Sequence, residues 1–99
     1  MSPLSSRLEY SDRFQKEASE LKRDRLLLLN HRLDQLSRCL ETDGKYNPTS
    51  LDFKKLNNKP FPKATHECDA WSDQDAKRLY GHFENNGTFL IDQLGAHLR

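Results

Sequence analysis

The N-terminal part of the chain carries a regular stripe of leucines. The stripe consists of Leu26, Leu29, Leu33, Leu36 and Leu40. Its alternating steps of three and four residues are the spacing of a coiled-coil seam. Because residues 6–42 contain neither proline nor glycine and Gly44 follows as a left-handed stop, the pattern predicts one long amphipathic helix over residues 1–43.

A second apolar stripe lies closer to the N-terminus and is out of phase with the first. Phe14, Ala18 and Leu21 keep the same steps, but their continuation falls on Leu28 rather than on Leu29. Such an offset is typical of a stutter, at which a coiled coil locally unwinds. The resulting broad leucine face has two interpretations: it packs on C-terminal helices of the same chain, or it binds a second protein or a second copy of this one.

The middle of the chain, residues 44–70, is a basic connector that contains prolines. Residues 44–65 hold five lysines against the single acidic Asp52. Asn47 followed by Pro48 predicts the start of a short helix, and the later prolines favour extended chain. Four lysines are candidate phosphate contacts, which would make the connector a nucleic-acid-binding segment. They are Lys54, Lys55, Lys59 and Lys63.

The last part of the chain, residues 71–99, is predicted to form a helical hairpin. Ser72 stands where a helix N-cap is expected, and the apolar residues after it follow the spacing of one helical face. Gly87 would end this helix in a left-handed turn, and Thr88 would cap the next one. The apolar positions are Ala76, Leu79, Tyr80 and Phe83 in the first helix and Leu90, Ile91, Leu94 and Leu98 in the second. We expect the hairpin to pack on the long helix.

This C-terminal segment resembles the entry of Myb/SANT and other homeodomain-like modules. The resemblance covers about the last thirty residues and depends on Trp71, Ser72, Asp75, Leu79 and Gly87. It implies a helix-turn-helix arrangement, and those families read DNA with a third helix beyond this pair. Residues 66–99, however, hold three basic side chains against six acidic ones, which disfavours contact with phosphates. We therefore interpret the segment as a packing hairpin rather than as a recognition module.

The composition is that of a small polar protein. The 99 residues have a net charge of +1, 34% hydrophobic residues and a mean hydropathy of −0.95. These values fit one small domain that leaves much apolar surface exposed, so we expect it to gain stability from a partner or from self-association. The longest apolar run, the leucines 26–29, is too short for a membrane span. Two cysteines without a secretory signal indicate free thiols and an intracellular location, nuclear or cytoplasmic.

Candidate chemistry is sparse in this sequence. It has no phosphate-binding glycine loop, no nucleophile-elbow motif and no zinc-protease motif. His66, Cys68 and His82 come closest to a metal-ligand set, but they lack the two close pairs of a structural zinc site. We therefore predict no metal, no cofactor and no enzymatic activity.

Together these features predict an all-α protein of one domain, with a long N-terminal helix and a C-terminal helical hairpin packed on it. The predicted function is that of a non-enzymatic interaction subunit of a larger intracellular assembly. It would dock through the leucine stripe and the aromatic Trp71, Tyr80 and Phe83, with another protein or a second copy in a homodimer as its partner. The alternative is a nucleic-acid-associated helical module that uses the connector lysines. No membrane contact is predicted.

Overall fold

Helices and strands are mixed along the chain. A computed structural model describes residues 7–57, 63–72 and 76–96. The elements in these ranges are β1 (Leu8–Tyr10), α1 (Asp12–Ser19), α2 (Arg23–Glu41), β2 (Lys54–Lys55), β3 (His66–Trp71), β4 (Lys77–Phe83) and β5 (Phe89–Ala96). The strands form one sheet in the order β1-β5-β4-β3-β2, in which β1 is parallel to β5 and the other neighbours are antiparallel. Residues 1–6, Lys59, Asp75 and Leu98, which entered the predictions, lie outside the described ranges.

The prediction of an all-α fold is wrong, because the segment after residue 65 forms strands rather than a helical hairpin. The central strand β4 is buried on both faces: Arg78, Leu79 and Tyr80 follow one another and are all buried. A strand covered on both sides lacks the alternation of polar and apolar residues by which strands are recognised. The apolar residues of β4 therefore imitate one face of a helix.

A β-bulge explains why β5 also shows helical spacing. Gly81 pairs with Ile91, while Tyr80 pairs with the residue two positions further along β5, so Asp92 is an additional residue. A bulge of this kind reverses the alternation of side chains beyond it. As a result Ile91 and Leu94, three residues apart, both pack against the helix-side core.

The predicted single helix over residues 1–43 is replaced by β1 and two shorter helices. Ser11 caps α1, since its hydroxyl oxygen accepts a hydrogen bond from the amide of Phe14 at 3.0 Å. α1 ends at Ser19 and α2 begins at Arg23. Leu21, the last residue of the first apolar stripe, lies in this break, so the offset between the stripes marks a boundary between helices rather than a stutter. In the described part of the chain, no helix is long and apolar enough to cross a membrane.

Both helices cover the same face of the sheet and form the core with it. The buried side chains of this core are Leu8, Phe14, Ala18, Leu29, Leu33, Leu36, Cys39, Leu40, Leu51, Cys68, Ala70, Trp71, Leu79, Phe89 and Ile91. Truncation of one such leucine to alanine costs about 2–5 kcal/mol, so the stripe is a main source of stability. The coiled-coil interpretation is wrong because the stripe packs on the strands of its own chain.

The connector also differs from its prediction. After α2, the left-handed backbone of Asp43 (φ 53°) and Gly44 (φ 86°) turns the chain away from the helix. The carbonyl oxygen of Pro48 accepts hydrogen bonds from the amides of Leu51 and Asp52. This is a single turn rather than the predicted short helix, and it leads the chain into the edge strand β2.

Candidate functional site

A pocket opens where the C-terminal end of α2 meets the connector and the end of β4. It has a volume of about 250 Å3 and lies between Leu40 of α2, Phe53 of the connector and Phe83 of β4. Its other lining residues are Arg7, Cys39, Asp43 and Gly44. The walls are therefore mainly apolar, with charged groups at one side, which is the composition expected of a binding pocket.

Three phenylalanines and one histidine form an aromatic cluster beside this pocket. The ring of Phe53 stacks on His66, with ring centres 5.4 Å apart and 13° between the planes. Phe83 meets His66 edge-on at 5.1 Å, and Phe89 meets Phe53 edge-on at 5.4 Å. Each such contact adds about 0.5–1.5 kcal/mol beyond burial. Because Phe83 is nevertheless 40% exposed, the cluster presents a fixed aromatic edge to solvent.

The side chain of Asn47 fixes the backbone of Phe53. Its Nδ2 donates to the carbonyl oxygen of Phe53 at 2.9 Å, and its Oδ1 accepts from the amide of Phe53 at 3.1 Å. Both backbone groups of Phe53 are thereby satisfied without a neighbouring strand. Asn47 thus holds a pocket wall in place and does not cap a helix.

Arg78 anchors the residue before Phe53. Its side chain is 3% exposed and donates to Oδ2 of Asp52 at 3.2 Å and to Oδ1 of Asp69 at 2.6 Å. Its Nε lies against Glu67 without hydrogen-bond geometry. Burial on its own would lower the pKa of Arg78, but the surrounding carboxylates raise it, so the guanidinium stays charged. This ion pair holds Asp52 in a left-handed conformation (φ 50°) that is unfavourable for most residues.

Arg7 borders the pocket on the side of α2. One of its Nη atoms donates to the backbone oxygen of Leu40 and lies 3.1 Å from Oδ1 of Asp43. A cation is favourable at this position because the helix dipole is negative at the C-terminal end. Since Arg7 and Asp43 neutralise each other, this side of the pocket carries little net charge.

Exposed lysines follow a pocket-lining residue or pair with the aromatic cluster. Lys45, which follows a pocket-lining glycine, is exposed, and so is Lys55, which pairs in register with His66. Burial, and next the charge of Lys55, lower the pKa of His66. Lys54 forms an ion pair with Asp52 at 3.2 Å. In the described ranges neither Lys45 nor Lys55 has an acidic side chain within ion-pair distance. Glu41, which follows the pocket-lining Leu40, is also exposed and has no cation within that distance, so the exposed charges around the pocket are of both signs.

A second apolar surface lies near the other end of α2. Leu27 is 61% exposed and Leu28 is 45% exposed, more than any other large apolar side chain among the described residues. A groove of about 260 Å3 lies between α1 and α2 next to them. It is lined by Gln15, Ala18, Ser19, Leu26 and Asn30. We refer to Leu27, Leu28 and this groove as the leucine surface.

Polar side chains collect on the sheet face that is turned away from the helices. Nδ1 of His82 lies 2.7 Å from Oδ2 of Asp92, and both side chains are largely buried. The pKa of Glu9 on β1 is raised. The largest cause is a hydrogen bond with Glu84, and burial and the charge of Glu84 follow. A histidine–carboxylate pair is able to exchange a proton. Among the residues that the structure describes, no cluster of three or more His, Cys, Asp or Glu side chains is arranged to hold a metal ion.

Both cysteines are buried free thiols. Burial raises the pKa of the Cys39 thiol, and complete burial raises that of Cys68 far more. The thiolate is the reactive form of cysteine. Burial therefore favours the protonated, less reactive form of both thiols.

Most of the predicted docking residues are in the core. Leu29, Leu33, Leu36, Leu40, Trp71 and Tyr80 are buried. Only three predicted docking residues line a surface feature: Leu40 and Phe83 line the pocket, and Leu26 lines the groove. Of the predicted lysines, Lys54 and Lys55 form β2, Lys63 is exposed, and Lys59 lies outside the described residues.

Asn47, Phe53 and His66 contribute to the pocket or its aromatic cluster but were not predicted as site residues. Strand pairing brings these segments together: Lys55 is opposite His66, and His66 is opposite Gly81 two residues before Phe83. The segments are far apart in the sequence, so no local pattern indicates their proximity. The pair Asn47-Pro48 was the available signal, and it was misread as a helix start.

The fold belongs to the class of α/β proteins with two helices on one face of a mixed sheet, as far as the described residues extend. No protein-family model and no curated protein matches the sequence. Among solved structures, the chain is similar to a chain in the intact E. coli RelBE toxin-antitoxin complex. The TM-score is 0.55, and the alignment covers 93% of this chain and 96% of that chain. At 17% sequence identity this similarity establishes the fold and not the activity.

These findings overturn the predicted function of an all-α docking subunit. The leucine seam through which it would dock is core, and the helical hairpin is a β-hairpin. The nucleic-acid alternative is no better supported, because its helix-turn-helix C-terminus is replaced by β4 and β5. The resemblance to homeodomain-like modules was misleading for the same reason.

Proposed function

We propose that this chain is one member of a two-protein complex of the toxin–antitoxin type. The observation that carries the proposal is the similarity of fold to a chain of the RelBE toxin-antitoxin complex, which extends over nearly all of both chains. The alignment covers 93% of this chain and 96% of that chain, so the likeness is not confined to one part of the fold. The second member of the proposed complex is also a protein.

The surface of the chain supports a role in protein binding. Three large apolar side chains are exposed among the described residues, and they fall on two surfaces, the pocket and the leucine surface. Exposed apolar groups of this kind are typical of protein–protein contacts when they are grouped. A partner that covers one of these surfaces would gain affinity by removing it from water.

We propose further that the chain acts by binding and is not an enzyme. Both thiols are buried, and burial raises their pKa values, which disfavours the reactive thiolate. Nδ1 of His82 lies within hydrogen-bond distance of Asp92, and this contact fits a structural link between β4 and β5. The direct test is His82→Ala, which we expect to leave the effect on growth and the binding of the partner unchanged. Loss of the growth effect with partner binding retained would instead indicate catalysis. An intracellular location remains a prediction of this proposal.

The test combines growth with complex formation. The chain and the protein encoded by the gene adjacent to its own are expressed singly and together in a bacterial host. We expect one of the two to slow growth when expressed singly, the other to restore it, and the pair to elute as one species of summed mass by size exclusion with light scattering. Absence of a joint species, or of any effect of either protein on growth, would overturn the proposal.

A further inference from the structure

The turn that joins β4 to β5 contains the residues Asn85, Asn86 and Gly87, and all three are exposed. The side-chain carbonyl carbon of an asparagine can be attacked by the backbone nitrogen of the residue that follows it, which closes a five-membered ring. Glycine hinders this attack least, because it has no Cβ. Asn86 with Gly87 is the single Asn-Gly pair among the six asparagines of the sequence.

A hydrogen bond directs the side chain of Asn86 along its own backbone. Its Oδ1 accepts from the amide of Thr88 at 2.9 Å. The backbone nitrogen of Gly87 lies within the small loop that this hydrogen bond closes, since Gly87 stands between the two residues. The carbon to be attacked and the attacking nitrogen are therefore held in one compact turn and do not have to find each other by free rotation.

The amide of Thr88 also points at the atom on which negative charge develops. Attack on the side-chain carbonyl places that charge on Oδ1 of Asn86, and a fixed backbone N–H aimed at a developing oxyanion lowers the barrier. Thr88 is buried, so its amide is well fixed. In the described part of the chain no such bond reaches the side chain of Asn85, which is equally exposed and supplies the matched control.

Two further features of the turn set the conditions for attack. A Cβ atom built on Gly87 would meet no atom within 4 Å, so packing does not obstruct ring closure. The amide of Gly87 donates to the carbonyl oxygen of Glu84 at 2.9 Å. This bond has to open before the nitrogen can attack, which makes the reaction a slow event in the folded chain.

We propose that Asn86 is a site of spontaneous covalent modification, at which its side chain closes a ring onto the backbone nitrogen of Gly87 and is then hydrolysed to aspartate and isoaspartate. A bond forms between the nitrogen of Gly87 and Cγ of Asn86, the bond from Cγ to Nδ2 breaks, and ammonia leaves with the proton of the Gly87 amide. Water then breaks either the new bond, which gives aspartate, or the original peptide bond, which gives isoaspartate. Because only water is consumed, this chemistry is independent of the proposed function.

The modification would change the turn beside the aromatic cluster. The turn connects Phe83 to Phe89, which pair with each other at the ends of β4 and β5. A new carboxylate at position 86 lies two residues from Glu84, which is already in contact with the carboxyl group of Glu9. Like charges at this spacing repel. Isoaspartate in addition inserts one carbon into the backbone of the turn, so we expect the modified chain to be less stable than the parent.

Mass spectrometry tests the reaction directly. The full folded chain is incubated at mildly alkaline pH in water enriched in heavy oxygen and is then digested in ordinary water, so that only conversions during incubation carry the label. Electron-transfer fragmentation separates aspartate from isoaspartate and position 85 from position 86. We expect both products at Asn86, formed at least about tenfold faster than at Asn85. Equal conversion of the two asparagines, or labelled aspartate without isoaspartate, would overturn the proposal.

Two variants locate the attacking atom. Gly87→Asn places a side chain beside the nitrogen and tolerates the positive φ of 86°, so conversion of Asn86 should slow at least about tenfold while circular dichroism stays unchanged. Asn85→Gln alters the neighbouring amide and should leave the conversion of Asn86 at the parent rate. An undiminished rate in Gly87→Asn would show that this nitrogen does not attack.

The consequence for stability is measured on the modified protein. Anion exchange separates the modified chain, which carries an additional negative charge, and thermal unfolding compares it with the parent. We expect the isoaspartate form to melt a few degrees lower and Asn86→Asp, which adds the charge without the extra carbon, to melt between the two. Equal melting temperatures of all three would show that the turn does not support the aromatic cluster.

Discussion

The two ends of α2 both expose apolar side chains, but they differ in how those side chains are held. Near the N-terminal end, Leu27 and Leu28 are exposed on a helix surface beside a groove of about 260 Å3. At the C-terminal end, Phe83 is packed edge-on against His66, and Phe53 is clamped by Asn47. The difference teaches that exposure by itself does not identify a binding site. A group that is exposed and also immobilised is a stronger candidate, because its ordering cost has already been met by folding.

The largest expected effect is on the sheet beneath the aromatic cluster. A Cβ atom at Gly81 would overlap the carbonyl oxygen of Leu90 and the ring of Phe89. We therefore expect Gly81→Ala to destabilise the protein by about 3 kcal/mol, because the obstacle is backbone and must shift. Urea denaturation followed by circular dichroism measures this. Gly87→Asn is the control, since nothing approaches within 4 Å there and asparagine tolerates the positive φ of 86°.

If Gly81→Ala and the control were equally stable, the close packing of Phe89 on β4 would be disproved. The C-terminal end of α2 would then have no more rigid a support than the leucine surface. The comparison between the two ends would lose its structural basis.

The second effect concerns the anchor of the connector. Arg78→Met removes the buried cation and leaves Glu67 and Asp69 without their partner. We expect a loss of about 2 kcal/mol, less than for a fully buried pair because both carboxylates retain some contact with water. Thermal unfolding measures the loss. Arg38→Met, which removes an exposed pair with Asp34, should change stability by less than about 0.5 kcal/mol. Equal effects of the two variants would show that Arg78 is not an anchor.

The third effect is confined to the pocket wall. Asn47→Ala removes both hydrogen bonds to the backbone of Phe53, which water replaces in part because the site is exposed. We expect a loss of about 1 kcal/mol in stability and faster hydrogen exchange at the Phe53 amide. Exchange measured by NMR on this variant and on the exposed control Asn57→Ala decides the matter. Unchanged protection of Phe53 would mean that the clamp is not formed in solution.

Different parts of the fold were accessible from the sequence to different degrees. Leucine spacing is informative for α2 because one face of that helix is buried and the other is wet. It is misleading for β4, in which Arg78 and Leu79 on opposite faces are both buried, and for β5, in which the bulge at Asp92 produces a spacing of three. Both failures come from tertiary context, which the local pattern does not contain.

The pocket was less predictable than the helices. Phe83 is among the predicted docking residues, but the structure places it on β4 rather than on a helix. Phe53 and His66 come together only through the pairing of β2, β3 and β4, and that pairing depends on the strands that were missed. Arg78 was not recognised because a buried arginine is rare and its acidic partners are distant in sequence.

A fourth prediction uses pH to test whether the aromatic end of α2 is held by a neutral histidine. Burial, and next Lys55, lower the pKa of His66 below its ordinary 6.5, so the unfolded chain binds a proton more readily than the folded one. The stability that neutral His66 gives the folded chain is fully present above pH 6.5 and is lost as the pH falls below that value. Thermal unfolding between pH 8 and pH 5 should show a weaker pH dependence for His66→Phe than for the parent. Identical slopes would contradict it.

The smallest expected effect is at the leucine surface. Leu27 is 61% exposed on α2, so its side chain removes little apolar area from water in the folded chain. We expect Leu27→Ser to change the free energy of unfolding by no more than about 0.5 kcal/mol, the loss being mainly helix propensity. Urea denaturation at two protein concentrations checks this. A larger loss that grows with concentration would show that a second copy covers this surface, and the loosely held end of α2 would then be the interface.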